Sequence, residues 1–455
     1  MRTMRLTHLT SKERLPMTTV PQVARALETT LRTTANAAAV SSGFIQRQRT
    51  LTGASFVQGL VFGWLAHPAA TYEQLAQAVA RAGTPISPQG LEQRFTPAAA
   101  QLLQEVLAAA TETVIRADGL AASLLQRFTG VWLLDTSIIP LPAVFAAMWP
   151  GSGKSEAQGR AAAIKLHTCL DLLSGALRGP LVGAGRPQDK CSPLQTEVPP
   201  AGTLRLTDLG FYALHVLRSL GEAGAFWLCR AQVQTTVWTA DGRRWTLVEL
   251  LKAQRGNVVD LSVSLGASER LPARLIAFRL DGQAAARRRR KVHYIARRKA
   301  HPASPERLAL CSWDVLVTNV PAETLTAEEA RILGRARWQI ELLFKLWKSE
   351  GQLDQSRSHK PYRILGELYA KLIGLVIQHW CTVLGCWSCL ERSLTKAGRV
   401  VREYALDLAR DVRYPRRLRE TLRELVHRLQ HRCRVNTRKT HPNHCQLIQE
   451  SVHAA

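Results

Sequence analysis

Residues 337 to 348 read Arg337-Trp338-Gln-Ile-Glu341-Leu-Leu-Phe-Lys345-Leu-Trp-Lys348. Ile340, Leu343, Phe344 and Trp347 recur at helical spacing. Wound as an α-helix at about 100° per residue, the segment sets Arg337, Glu341 and Lys348 within about 40° of one another. The apolar four fill much of the remaining circumference and are free to be buried. A carboxylate bracketed by two cations on one stripe has two readings. It is an exposed face knitted by i,i+4 ion pairs, or a metal ligand flanked by groups that grip phosphate. Upstream, Thr326 caps the helix and Glu328 and Glu329 suit its first turn. One helix is expected from there to about Glu350.

Two further carboxylates stand earlier in the chain. Gly130-Val-Trp-Leu-Leu-Asp135 and Thr203-Leu-Arg-Leu-Thr-Asp208 are apolar β-like runs that each end in aspartate. Between them Ala163 to Asp171 alternates as a strand does, Ser174-Gly175 turns, and Ala176 to Pro180 returns. A helix from Gly210 to Leu220 and a strand from Ala225 to Arg230 follow. Strands interleaved with a helix predict an α/β sheet, whose strand ends are where sites form. Carboxylates drawn together repel unless a divalent cation lies between them. With Glu341 as the third, Asp135 and Asp208 suit a two-metal site for in-line attack on a phosphodiester. Aspartate at a strand end is commonplace, so these two alone carry little; the segment around Glu341 carries most of the weight.

Outside this core the pattern changes. Residues 231–312 hold short β-like runs separated by Gly and Asp-Gly turns and read as a β-rich insertion. Within it Arg287-Arg288-Arg289-Arg290-Lys291 flanks a strand or loop. The sheet pattern returns at Trp313, giving core segments 129–230 and 313–350. Residues 19–128 read as helices. Thr71 caps one, Gly83-Thr84-Pro85 breaks the chain, and Ser87 with Pro88 opens the next. This pair resembles a helix-turn-helix whose second helix offers Gln89, Gln93 and Arg94 outward; an ordinary helical hairpin has the same pattern. Residues 351–455 are helical and basic. Met17 offers a second start, which makes residues 1–18 a leader.

Sixty-one Lys and Arg against 35 Asp and Glu give a formal charge of +26. That excess is too large for a typical metabolic enzyme and points to a polyanion, nucleic acid before membrane. The best apolar stretch, Leu372 to Trp387, is broken by Gln378 and His379, so no membrane partner is expected. The opening residues have no apolar run of a secretory signal. Nine scattered cysteines fit a reducing cytoplasm rather than a disulfide framework.

These residues together resemble a known family, the DDE transposases of bacterial insertion sequences. Within it they resemble the insertion-sequence-four type, relatives of the hairpin-forming cut-and-paste enzymes, which carry a Tyr-x2-Arg-x3-Glu-x6-Lys signature. Arg337, Glu341 and Lys348 match that spacing, Leu134-Asp135-Thr136-Ser137 matches the first catalytic segment, and Asp208-Leu-Gly210-Phe-Tyr212 matches the second. The resemblance covers roughly residues 129–350. It implies an RNase H-like α/β core interrupted by a β-rich insertion, flanked by the helical N-terminal DNA-binding region and the helical C-terminal region. It implies Asp135, Asp208 and Glu341 as catalytic ligands of two Mg²⁺, for which Mn²⁺ substitutes. Arg337 and Lys348 would hold the phosphates of a transposon end, aided by Lys345. Trp313, 21 positions before Gly334, would stack on a flipped base, with Trp338 a second aromatic beside it. The departure is Gly334, which stands where the signature has tyrosine; Arg335 is the nearest substitute for the lost phosphate contact.

Other features have quieter readings. His167 reads as a core or sheet-face histidine, and Cys381, Cys386 and Cys389 as buried thiols. Cys433, His441, His444 and Cys445 form a weak zinc pattern. Gly151-Ser-Gly-Lys154-Ser155 lacks the glycine spacing of a phosphate loop and reads as a mobile active-site loop. The basic run Arg287 to Lys291 is expected on phosphate. The function expected is metal-dependent cleavage at the terminal inverted repeats and strand transfer into target DNA. A homodimer, in the cytoplasm on the nucleoid, would pair the ends. The alternatives are a catalytically inactive DNA-binding derivative and an RNase H-like structure-specific nuclease.

Overall fold

The computed structural model describes residues 18–47, 50–155, 159–298, 300–436 and 448. The leader up to residue 17 and three of the tail's zinc candidates, His441, His444 and Cys445, lie outside the described residues.

The N-terminal helices are α1 (Val20–Glu28), α2 (Ala35–Ser41), α3 (Gly53–Ala66), α4 (Tyr72–Arg81), α5 (Pro88–Glu92) and α6 (Pro97–Glu112), with a π-helical turn, Thr29–Thr34, joining the first two. Thr71 caps α4 with Gln74 in a capping box, and Ser87 Oγ accepts from the Gly90 N–H at the start of α5. The expected second helix is cut short, however. Pro97 holds the preceding Thr96 in an extended conformation, from which Thr96 caps α6. Gln89 is therefore exposed on α5, Gln93 is its C-cap, and Arg94 lies in the turn beyond it.

A short helix α7 (Ser123–Gln126) leads into the sheet. Its first strands are β1 (Val131–Leu141), β2 (Pro150–Ser155), β3 (Gly159–Asp171), β4 (Leu177–Ala184) and β5 (Leu204–Thr207). Helix α8 (Leu214–Glu222) crosses to β6 (Phe226–Arg230). β3 runs antiparallel to β1, β4 antiparallel to β3, and β1, β5 and β6 are parallel. Three antiparallel strands followed by two parallel ones joined through a helix is the RNase H-like pattern. The Gly151–Ser155 segment is not a loop but part of β2. A Cβ on Gly151 would sit 3.1 Å from the Ala161 carbonyl, so glycine lets this edge close on β3.

The insertion extends the same sheet. It contributes β7 (Thr236–Trp238), β8 (Arg244–Thr246), α9 (Leu247–Ala253), β9 (Val258–Leu265), β10 (Leu271–Arg279), α10 (Gly282–Arg298) and α11 (Pro305–Leu310), and β11 (Trp313–Thr318) after it lies between β10 and β6. Among the described residues eleven strands make one sheet in the order β2-β3-β1-β5-β6-β11-β10-β9-β7-β8, with β4 also on β3. The basic run and the segment it was expected to flank as strand or loop are both helical, within α10. Asp281 Oδ1 accepts from the Ala284 N–H at its start, and Ala, Arg and Lys are strong helix formers.

Two helices follow, α12 (Ala327–Ala336) and α13 (Trp338–Ser349). Thr326 caps α12 with Glu329, and Arg127 grips Glu329 through two hydrogen bonds of 2.7 and 2.8 Å. The single helix expected through Arg337 is broken there. The Ile340 N–H reaches the Arg337 carbonyl three residues back, which tightens the turn there.

The C-terminal helices are α14 (Pro361–Cys386), α15 (Leu394–Glu403), α16 (Ala405–Asp411) and α17 (Pro415–Arg432). α14 packs against α3, α6 and α17, so both ends of the chain build one helical body around it. By length and average composition α14 is the one described helix fit to cross a membrane, but 94% of its most apolar window is buried inside the protein.

Candidate active site

The sheet register brings the two aspartates together. Leu134 pairs with Thr207, the last residue of β5, so Asp135 and Asp208 each stand one position beyond. Asp208 ends its strand as expected. Asp135 does not: β1 continues through it to Leu141, held by antiparallel pairing to β3. On β1, Asp135 alternates with Leu133, which lies in the main core.

Helix α13 supplies the third acid. Its buried face is Ile340, Leu343, Phe344 and Trp347, as the helical spacing predicts. Glu341 is left on the side toward β1. Despite the break in the helix, Arg337 still reaches it, and its guanidinium stands between all three acids. It lies 3.2 Å from Asp135 Oδ2, 4.0 Å from Asp208 Oδ2, and in a close ion pair with Glu341 Oε1. The Thr136 N–H donates to Asp135 Oδ1 at 2.8 Å. Burial pushes the Asp135 carboxyl up to about 6, against the downward pull of that N–H and of Arg337; Glu341 and Asp208 add to the rise.

Beside the acids opens a cleft of about 530 Å³, lined by Asp135, Glu341, Lys345, Lys348, Asp354 and Gln355 among others. Lys345 is exposed and Lys348 half-buried. Arg335 is exposed on the last turn of α12. Gly334 packs toward Leu316, 3.4 Å from where its Cβ would be.

The two tryptophans part company. Trp338 is 51% exposed at the start of α13, beside Arg337. Trp313 is only 7% exposed, packed in the second apolar cluster with the Arg279 guanidinium 4.6 Å over its ring. As the side chain is set, Arg279 and the apolar cluster cover it. The basic run of α10 divides as well. Arg288 bonds the Trp313 carbonyl and Asp314, and Arg289 bonds Ser312. Arg287, Arg290 and Lys291 point to solvent.

His167 is buried, as expected, and burial lowers its pKa. Cys381 and Cys386 are buried free thiols, and Cys389 is half-buried. The sequence reading missed Lys165 and Asp189, which pair on the face of β1 away from Glu341, and Gln195, which bonds the Phe211 carbonyl. Their only early signal was the alternation of Lys165 with His167 on β3.

Among the described residues no three His, Cys, Asp or Glu side chains are set closely enough to share one ion as they stand. Even so, three carboxylates surround a single positive group, Arg337. An all-oxygen donor set of this kind suits a hard divalent cation.

Three acids thus gather where the parallel pairing of an RNase H-like sheet ends. The Transposase DDE domain matches residues 126–377, and the chain belongs to that family. DDE transposases cut and join DNA with the help of divalent metal ions. The chain is 28% identical to the transposase for insertion sequence element IS231C of Bacillus thuringiensis subsp. berliner, over 74% of each chain. It is 24% identical to the transposase for insertion sequence element IS1151 of Clostridium perfringens, over 75% of this chain and 76% of that one. The putative transposase InsL for insertion sequence element IS186A of Escherichia coli (strain K12) is 30% identical across a shorter stretch, 38% of this chain and 49% of its own.

Proposed function

We propose that the chain is a cut-and-paste transposase that cleaves the terminal inverted repeats of its element at the Asp135–Asp208–Glu341 site and joins them to target DNA. The observation that carries this reading is the gathering of these acids, 73 and 133 residues apart in sequence, around one cationic group. Asp135, Asp208 and Glu341 would hold two Mg²⁺, or Mn²⁺ in their place. When bound, such a pair activates the attacking oxygen and steadies the leaving one.

The chain's own groups do the rest. Arg337 is in place to exchange its carboxylate partners for a DNA phosphate, a bidentate match for a guanidinium. Lys345 and Lys348 line the cleft along which the backbone would run. Trp338 offers an exposed face to an unstacked base. Arg335 reaches solvent near Gly334, where the family's tyrosine is missing. Water attacks the phosphorus at the transposon end and the 3′ oxygen leaves as a hydroxyl. That hydroxyl attacks the opposite strand to close a hairpin, which a second water opens. The restored 3′ hydroxyl then attacks the target phosphodiester.

The outward residues of α10, Arg287, Arg290 and Lys291, would contact phosphate, with Arg288 and Arg289 anchoring the helix. Gln89, Gln93 and Arg94 would meet DNA from the N-terminal helices. Two protomers would pair two ends in the bacterial cytoplasm, on the nucleoid.

The test is cleavage of linear end DNA in Mg²⁺ by the parent chain and by Glu341→Ala. The parent is expected to nick and then join; the variant is expected to bind and not cut. Undiminished cleavage by the variant would overturn the site. Binding without nicking by the parent would make the chain an inactive DNA-binding derivative. Cutting without joining would make it a structure-specific nuclease.

A further inference from the structure

The face of β1 opposite Glu341 carries a polar cluster for which the proposed chemistry has no use. The chain from Pro187 to Glu197 crosses that face as a strap containing two 3-10 turns, Asp189–Cys191 and Pro193–Gln195. Leu194 seats it on an apolar cluster with Trp132, Leu134, Cys169 and Phe211. Cations rising from the sheet hold it. Lys165, nearly fully buried, donates to the Pro187 carbonyl and to Asp189 Oδ1 at 2.8 Å. Arg205 on β5 donates to the carbonyls of Gln195 and Glu197, and Arg178 pairs with Glu197.

The strap also holds both catalytic aspartates at one remove. Thr136 Oγ1 donates to Asp189 Oδ1 at 2.7 Å, while the N–H of the same threonine donates to Asp135 Oδ1. On the other side, Asp189 Oδ2 abuts Gly210, where a Cβ would come within 2.7 Å of it. Gln195 Nε2 donates to the Phe211 carbonyl at 2.7 Å, in the turn that begins at Asp208. A strap that merely covered apolar side chains would need neither a buried lysine, costly to bury unpaired, nor a half-buried carboxylate on a threonine hydroxyl.

We propose that this strap sets the spacing of Asp135 and Asp208: Asp189, acting through Thr136, and Gln195, acting through the turn after Asp208, are positioning residues for the metal site. The proposal rests on the reading of these aspartates as metal ligands. Groups that orient ligands in this way are worth roughly 10–100-fold in metal affinity or activity.

The experiment uses the purified full chain, Mn²⁺ as probe followed by electron paramagnetic resonance, cleavage at saturating end DNA, and end-DNA binding in EDTA. Thr136→Val removes the hydroxyl at nearly constant volume; Thr136→Ser keeps it. The valine variant is expected to bind Mn²⁺ and to cleave at least about 10-fold more weakly. The serine variant should match the parent, and both should bind end DNA normally without metal. Gly210→Ala, which pushes the Asp189 carboxylate off the turn, should weaken Mn²⁺ in the same direction if the valine variant folds poorly. Parent-like Mn²⁺ affinity in both Thr136→Val and Gly210→Ala would overturn the proposal, as would a serine variant as impaired as the valine one. Asp135→Asn separates the two levels. If it loses Mn²⁺ while Thr136→Val and Gly210→Ala do not, the strap proposal alone falls; if it keeps full Mn²⁺ affinity, the ligand reading falls and takes the strap with it.

Discussion

Asp135 shows most directly how environment shapes one side chain. Its carboxyl is drawn into the site by strand β1, and burial lifts it from the ordinary 3.8 to about 6. A carboxyl raised in the folded chain contributes stability below its unfolded value and loses it as pH rises through the folded value. In metal-free protein, Asp135→Asn, which mimics the protonated form, should therefore change stability little near pH 4. Near pH 8 it should be more stabilising by about 2–3 kcal/mol. Chemical unfolding in EDTA at the two pH values checks this, and a pH-independent effect would contradict it. Glu341 and Arg337 were legible in the sequence because helical spacing is local. The packing of Trp313 is not: a tryptophan on a strand reads alike whether its ring is open or, as here, lies under Arg279.

Elements differ in how much of their shape is local. The caps at Thr71, Ser87 and Thr326 are written in a few adjacent residues and stand where the sequence predicts them. The break at Arg337 and the strap of residues 187–197 depend on partners far along the chain, and nothing near them announces either. Helix α10 is hard to read from sequence because it lies among β-like runs and carries no apolar stripe, although Arg, Lys and Ala each favour helix. Gly334 lies within α12 with room for a methyl group against Leu316. Gly334→Ala should stabilise the chain by about 0.5–1 kcal/mol, read as a raised urea midpoint. In α14 the Glu367 carboxylate is buried between Arg363 at 3.2 Å and Lys371 at 2.7 Å, and Lys371 also ties down the carbonyls of Gln352 and Gln355 beside the cleft. Glu367→Ala strands two buried cations and should cost about 3–5 kcal/mol in the same assay.

At the scale of the whole molecule, the +26 charge and the α/β pattern were legible from composition and periodicity, and both agree with family membership. The union of N- and C-terminal helices around α14 was not, because sequence patterning assigns faces to helices and leaves their partners open. Along α10 six of the exposed side chains, Arg287, Arg290, Lys291, Tyr294, Arg297 and Arg298, fall on one stripe. Joint replacement of Arg287, Arg290 and Lys291 by alanine should weaken DNA binding. It should also flatten the slope of log affinity against log salt by roughly two to three, since each lost phosphate contact retains its counterion. An unchanged slope would remove α10 from the DNA interface.

The claim on which all of this turns is that Asp135, Asp208 and Glu341 ligate the ions that cut DNA. Thiolate discriminates against Mg²⁺ and accepts softer ions, so cleavage of end DNA by Asp135→Cys in Mg²⁺ and in Mn²⁺ tests it most directly. Loss of cleavage in Mg²⁺ with recovery in Mn²⁺ is the predicted result. Cleavage in Mg²⁺ equal to that of the parent chain would contradict it.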